Sequence, residues 1–201
     1  MGKTVERFAM PCQVRLVNDT TTPDEQKQII SGVAITYNSR SQDVGGYVRM
    51  FAPGCFAESL TTNEVFGLYA HDDNDILSRT STGSLVINDT PEALQFTMTP
   101  PLWHTLFMGR LINNLVDGVS VGVVDCVDEW RKAEDGVIER YITSAGLVEL
   151  SATAYPAFLA TIVELVRFDQ FQQDQTPATI SYALKELLQC QQRLAELQFG
   201  K

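Results

Sequence analysis

His71, Ser120 and Glu149 are the residues of this chain whose types and local settings suit nucleophilic catalysis. A serine hydroxyl is a poor nucleophile until a neighbouring base takes its proton, and that base works best when a third group fixes its tautomer. His71 follows a strand-like run, Val65-Phe66-Gly67-Leu68-Tyr69-Ala70, at the turn His71-Asp72-Asp73-Asn74-Asp75. Ser120 opens Ser120-Val121-Gly122-Val123-Val124, and Glu149 lies within Gly146-Leu147-Val148-Glu149-Leu150-Ser151. Nucleophile, base and orienting carboxylate are all available if the fold gathers these three segments.

On a strand, alternate side chains share a face. Glu149 would then face the same way as Ser151, Thr153 and Tyr155, with Val148, Leu150, Ala152 and Ala154 opposite. Ser120 would share its face with Gly122, whose bare backbone leaves room for a substrate. Read singly, blander roles stay open: a strand-start serine, a solvated glutamate, a turn histidine. Only two histidines exist, so His-dependent chemistry falls to His71 or His104, and His104, beside Trp103 in a helical segment, suits packing or surface. Cys55 or Cys126 with His71 would make a thiol enzyme instead. The acidic turn after His71 lacks the glycine and the distant glutamate of an EF-hand loop, and the four cysteines form no CxxC pair. No metal and no cofactor is expected.

Those residues must be positioned by a mostly β chain. Ile30 to Tyr37 and Tyr47 to Phe51 read as strands, and Leu85-Val86-Ile87 with Leu94 to Met98 as a hairpin about Asn88-Asp89-Thr90-Pro91. From Leu102 to Val116 the leucines at 102, 106, 111 and 115 recur near helical spacing, with Gly118 placed to end a helix. Strands resume through Val127, Ile138 to Thr143, Leu147 to Tyr155 and Thr161 to Phe168. Beyond Phe168 the composition changes, and eight of the 13 glutamines fall between Gln170 and Gln198. Thr176-Pro177 reads as a helix start, and Ile180, Leu184, Leu187, Leu194 and Leu197 form a single apolar stripe that needs a partner. Residues 1–168 are therefore expected to be a catalytic domain, and 169–201 a glutamine-rich helical tail for docking or self-association.

At 201 residues, 44% apolar and 20% charged, the chain suits one soluble globular core. A net charge of −10 argues against a nucleic-acid partner, which would need clustered cations. No apolar run approaches the roughly 20 residues that cross a bilayer, so no membrane partner is expected. The N-terminus lacks the apolar core of a signal peptide, which points to a cytoplasmic chain with free thiols.

Six segments, in order and spacing, resemble the prohead (capsid maturation) proteases of tailed bacteriophages. They are Ser31-Gly32-Val33-Ala34 with Tyr37-Asn38; Gly45-Gly46-Tyr47; Phe51-Ala52-Pro53-Gly54-Cys55-Phe56; His71-Asp72 with Arg79-Thr80 and Gly83-Ser84-Leu85; Gly118-Val119-Ser120-Val121-Gly122-Val123; and Leu147 to Ser151 with Thr153-Ala154-Tyr155-Pro156-Ala157. The resemblance implies a serine endopeptidase with Ser120 as nucleophile, His71 as general base and Glu149 as third member. It implies a mainly β fold with some α (α+β), similar to herpesvirus assemblin: an antiparallel β-barrel surrounded by helices, here with a C-terminal helix added. The expected substrate is scaffolding protein, or the scaffolding segment of the major capsid protein, cut inside the prohead in the host cytoplasm by a homo-oligomer. A non-catalytic assembly module on the same fold is the alternative. Ser78 stands where the family has glycine before Arg-Thr, and Val121 and Val123 replace aromatic residues. The Arg79-Thr80 region is a candidate source of oxyanion donors.

Overall fold

A computed structural model describes residues 4–10, 14–18, 28–43 and 45–154. The chain divides into two compact units, Met1–Leu159 and Ala160–Lys201, and the described residues all lie in the first. The expected strand over 161–168, the domain boundary at 168/169 and the tail helix lie outside the described residues.

The described residues are mainly β with few helices, as expected, but they form two sheets, the larger with mixed pairing and the smaller antiparallel throughout, rather than the one antiparallel barrel expected. The larger sheet joins β1 (Glu6–Met10), β9 (Gly118–Lys132), β10 (Ile138–Thr153), β5 (Phe66–Tyr69) and β6 (Asp72–Arg79), with β4 (Val48–Phe51) also pairing β10. Both β4 and β5 run parallel to β10. The smaller sheet has the order β2 (Val14–Asn18), β3 (Gln28–Thr36), β8 (Ala93–Met98) and β7 (Leu85–Asp89), and β7 and β8 form the expected hairpin. Phe8, Phe51, Phe56, Leu94, Val121, Val123, Leu147 and Leu150 belong to one buried cluster.

Among the described residues the helices are short: α1 (Ser59–Thr62), a 3-10 turn (Thr80–Thr82) and α2 (Thr105–Ile112). α2 ends well before Gly118, which instead opens β9. Asn114 adopts a left-handed φ of 54°, and across it the Leu115 N–H donates to the Arg110 carbonyl at 2.8 Å. Asparagine thus stops the helix in place of the expected glycine. The buried stripe is Phe107, Met108 and Leu111, whereas Leu102, Leu106 and Leu115 are exposed. Of the four leucines only Leu111 is on the buried face: the helix is too short for Leu102 and Leu115 to belong to it, and Leu106 faces outward.

Two local departures from regular strand geometry position the candidate residues. The first is a bulge in β10. Leu147 pairs with Val123 but Glu149 pairs with Gly122, leaving Val148 as the extra residue. Leu147 and Leu150 can therefore both enter the core, three positions apart, while Glu149 and Ser151 point to the opposite face. Without the bulge, Glu149 would turn the same way as Leu147. The second departure is the β5–β6 connection. Tyr69 pairs with Asp72, so Ala70 and His71 make a two-residue turn with φ of 53° and 62°. That geometry normally takes Asn-Gly, and a Cβ in it costs about 1 kcal/mol. Ala70→Gly is expected to raise stability by about 1 kcal/mol, read as the midpoint of urea unfolding.

Candidate active site

The register of the larger sheet sets two rows of residues across four strands. Arg7 pairs with Gly122, Gly122 with Glu149, and Glu149 with Phe66. One step along, Ser120 pairs with Ser151, and Ser151 with Leu68. Glu149, Ser151 and Ser120 consequently share one face, and all three are buried.

His71 reaches this face from its turn. Its Nδ1 lies 2.8 Å from Glu149 Oε1. A carboxylate only accepts, so Nδ1 carries the hydrogen and the neutral ring presents Nε2 as a lone pair. Nε2 is buried and has no hydrogen-bond partner among the described residues. A buried, unsatisfied ring nitrogen is costly to maintain, and such groups concentrate where chemistry needs them. Both backbone left-handedness and the unpaired nitrogen thus fall on His71.

Glu149 is held at three points. Besides His71, the Arg7 Nε donates to Oε1 at 3.0 Å, and Ser151 Oγ donates to Oε2 at 2.9 Å. Burial alone would raise the Glu149 pKa, but the bonds from His71 and Ser151 and the charge of Arg7 outweigh it, leaving the carboxyl below its ordinary value. The carboxylate therefore stays ionised and can both fix the ring and stabilise its cationic form. Gly122 makes room for it: a Cβ there would overlap Glu149 Cγ and Oε1. The glycine gap expected to admit a substrate is filled by the carboxylate's own side chain.

Ser120 lies on the same face but is not joined to His71. Its hydroxyl donates to the Phe8 carbonyl on β1 at 3.0 Å. The pair His71–Glu149 is formed, and the serine sits one step along the sheet from that carboxylate.

The other candidates are placed elsewhere. His104 precedes α2, stacks on Trp103 with ring centroids 4.2 Å apart, and sets Nε2 3.2 Å from Asp75 Oδ1 without hydrogen-bond geometry. Cys55 is in the core, where burial first, then Asp89 and Cys126, push its thiol pKa up, so it is held protonated. The Arg79 and Thr80 backbone N–H groups are already used, donating to Ser84 Oγ at 2.9 Å and the Val65 carbonyl at 3.0 Å, and the Arg79 guanidinium grips Glu64. Neither of these main-chain donors is free for an oxyanion. Ser78 pairs with Gly67, where a Cβ would overlap its Oγ, so a glycine across the pair accommodates the serine that stands in the family's glycine position.

A family model described as caudovirus prohead serine protease matches residues 16–176. The chain belongs to that family. No curated protein and no solved structure matches it. The matched stretch spans all three candidate residues of this prohead protease, whereas β1 and Arg7 lie before it. Sequence reasoning misses Arg7, which lies 142 positions from its carboxylate partner and carries no local signal. Alternation puts Ser151 on the Glu149 face, but nothing in the sequence indicates its bond to the carboxylate.

Arg7 also gives the protease a pH signature. A carboxylate whose pKa is lowered on folding contributes stability that is fully present above its unfolded value, about 4.3, and lost as pH falls through the lower folded value. Arg7→Gln removes one of the lowering partners. The variant is expected to melt below wild type at pH 7, and the gap in Tm should narrow as pH falls below the unfolded value and through the lowered folded one, where Glu149 becomes neutral. A gap of equal size at both pH values would mean that Arg7 acts by packing alone.

Proposed function

We propose that this prohead protease is a serine endopeptidase in which Ser120 attacks the scissile carbonyl, His71 takes the hydroxyl proton and Glu149 orients the imidazole. The observation that carries this reading is the His71 Nδ1–Glu149 Oε1 contact of 2.8 Å, which leaves Nε2 unpartnered beside the face bearing Ser120. In the first step the Ser120 hydroxyl exchanges the Phe8 carbonyl for Nε2 as its acceptor. Oγ then bonds to the substrate carbonyl carbon while the proton passes to Nε2. The imidazolium so formed is stabilised by the ionised Glu149, and it returns the proton to the departing amine. Water hydrolyses the acyl-enzyme by the same exchange in reverse.

The substrate is scaffolding protein, or the scaffolding segment of the major capsid protein, inside the prohead. Family membership supports a capsid-related partner. Co-expression of wild type with its major capsid and scaffolding proteins should yield shortened chains by intact-mass measurement, and Ser120→Ala should yield only full-length ones.

One observation favours a second reading, a non-catalytic assembly module: the Ser120 hydroxyl is fully buried and bonded to the main chain. Unchanged masses of all partners with the wild-type chain, in shells that assemble normally, would support it.

A further inference from the structure

A pocket of about 420 Å³ opens beside Glu149. Its apolar walls are Val5 just ahead of β1, Phe66 and Leu68 from β5, Ile76 from β6, and Val148, the extra residue of the β10 bulge. That volume is within the range of pockets that bind small organic groups, roughly 300–1,000 Å³. Glu149 and Arg7 also line it, so it borders the carboxylate that holds His71.

We infer that this pocket is the specificity subsite of the protease, and that it takes one branched aliphatic or aromatic side chain of the substrate close to the scissile bond. The inference rests on the assignment of His71, Ser120 and Glu149 above. Three features select an apolar occupant. The walls are Val, Leu, Ile and Phe, which gain from excluding water around a matching side chain. The Glu149 carboxylate is spent on His71, Arg7 and Ser151, and Arg7 in turn faces that carboxylate; the remaining charged lining residue, Asp73, is exposed and keeps its carboxylate in water. Ile76 is 38% exposed, an apolar residue left in water where a bound side chain would cover it. The same bulge that re-aims Glu149 supplies Val148 to the wall, which couples the position of the carboxylate to the shape of the subsite. Val5 and Arg7 line the pocket from ahead of the stretch matched by the family model.

The test is the sequence preference of cleavage. A denatured protein mixture is digested with the purified full-length chain, and the new termini are read by mass spectrometry. One position near the cut should be enriched in Leu, Ile, Val, Met or Phe. Two peptides differing only there, Leu against Ala, should then differ in kcat/KM by roughly 10-fold or more, the scale of discrimination by apolar pockets. Ile76→Trp, which fills the pocket, should bring that ratio close to one. Because the ratio is taken within one preparation, partial unfolding lowers both peptides alike; should Ile76→Trp not fold at all, Val5→Trp replaces it. Cleavage without apolar enrichment at any nearby position, enrichment of Lys or Arg drawn by Asp73 in its stead, or a Leu-to-Ala ratio unmoved by filling the pocket would overturn the subsite while leaving the catalytic assignment standing. Cleavage that persists in Ser120→Ala would instead bring down both.

Discussion

His71→Ala is expected to remove proteolysis almost completely, by roughly 10⁴- to 10⁶-fold in kcat, with the fold intact. Nucleophile and base act as a unit, so losing either costs about as much as losing both, and Ser120→Ala should match it. The double variant Ser120→Ala/His71→Ala should then be no worse than the single ones. The fold should survive because His71 sits in a two-residue turn whose left-handed φ of 62° costs stability and whose ring leaves Nε2 unpaired. Removing the ring does expose Glu149 to the loss of one donor, but Arg7 and Ser151 still hold the carboxylate. Glu149→Gln should cost less activity than either, since it weakens orientation and charge stabilisation while keeping the reacting groups. Circular dichroism and urea unfolding of His71→Ala beside wild type would separate a catalytic loss from a folding loss.

The second large effect is expected from the smallest change. Gly122→Ala adds one methyl group, and it would overlap Glu149 Cγ and Oε1. The carboxylate has little room to retreat, because it is buried and bonded on three sides. Either the strands separate locally, at the roughly 1–3 kcal/mol typical of overpacking, or Glu149 swings away and leaves His71 unoriented. Both outcomes reduce kcat far more than KM, and the loss should approach that of Glu149→Gln. An alanine at Gly122 with full activity would show that the carboxylate's position is not what sets the rate.

Much of this site is legible in the amino-acid sequence. His71 and Glu149 stand out because each ends or interrupts an apolar run with a group that is costly to bury, and the fold does bring them together. The β7–β8 hairpin is legible because its turn residues and alternation agree. The bulge at Val148 is not, since Leu147-Val148-Glu149-Leu150 fits simple alternation equally well, and only pairing with β9 decides which residue is extra. The filling of the Gly122 gap follows from that same bulge. Arg140, with no exposed surface, is bonded to Asp128 and Glu6 at 2.6 Å each. An arginine in a strand reads as solvated, and its carboxylates come from segments 12 and 134 positions away. The same blindness to distant partners hides Arg7. Leucine spacing overstates the length of α2 because it carries no information about an asparagine willing to take left-handed geometry.

If His71, oriented by Glu149, activates Ser120, that hydroxyl should react with a fluorophosphonate, which bonds covalently to activated serine hydroxyls far faster than to ordinary ones. Wild type should gain one adduct, located on Ser120 by peptide mass mapping, while His71→Ala, Glu149→Gln and wild type at low pH gain it much more slowly, and alkylation of the cysteines leaves the rate unchanged. Labelling of Ser120 at the wild-type rate in a folded His71→Ala chain, or an adduct on any other residue that tracks activity, would mean that His71 does not activate Ser120.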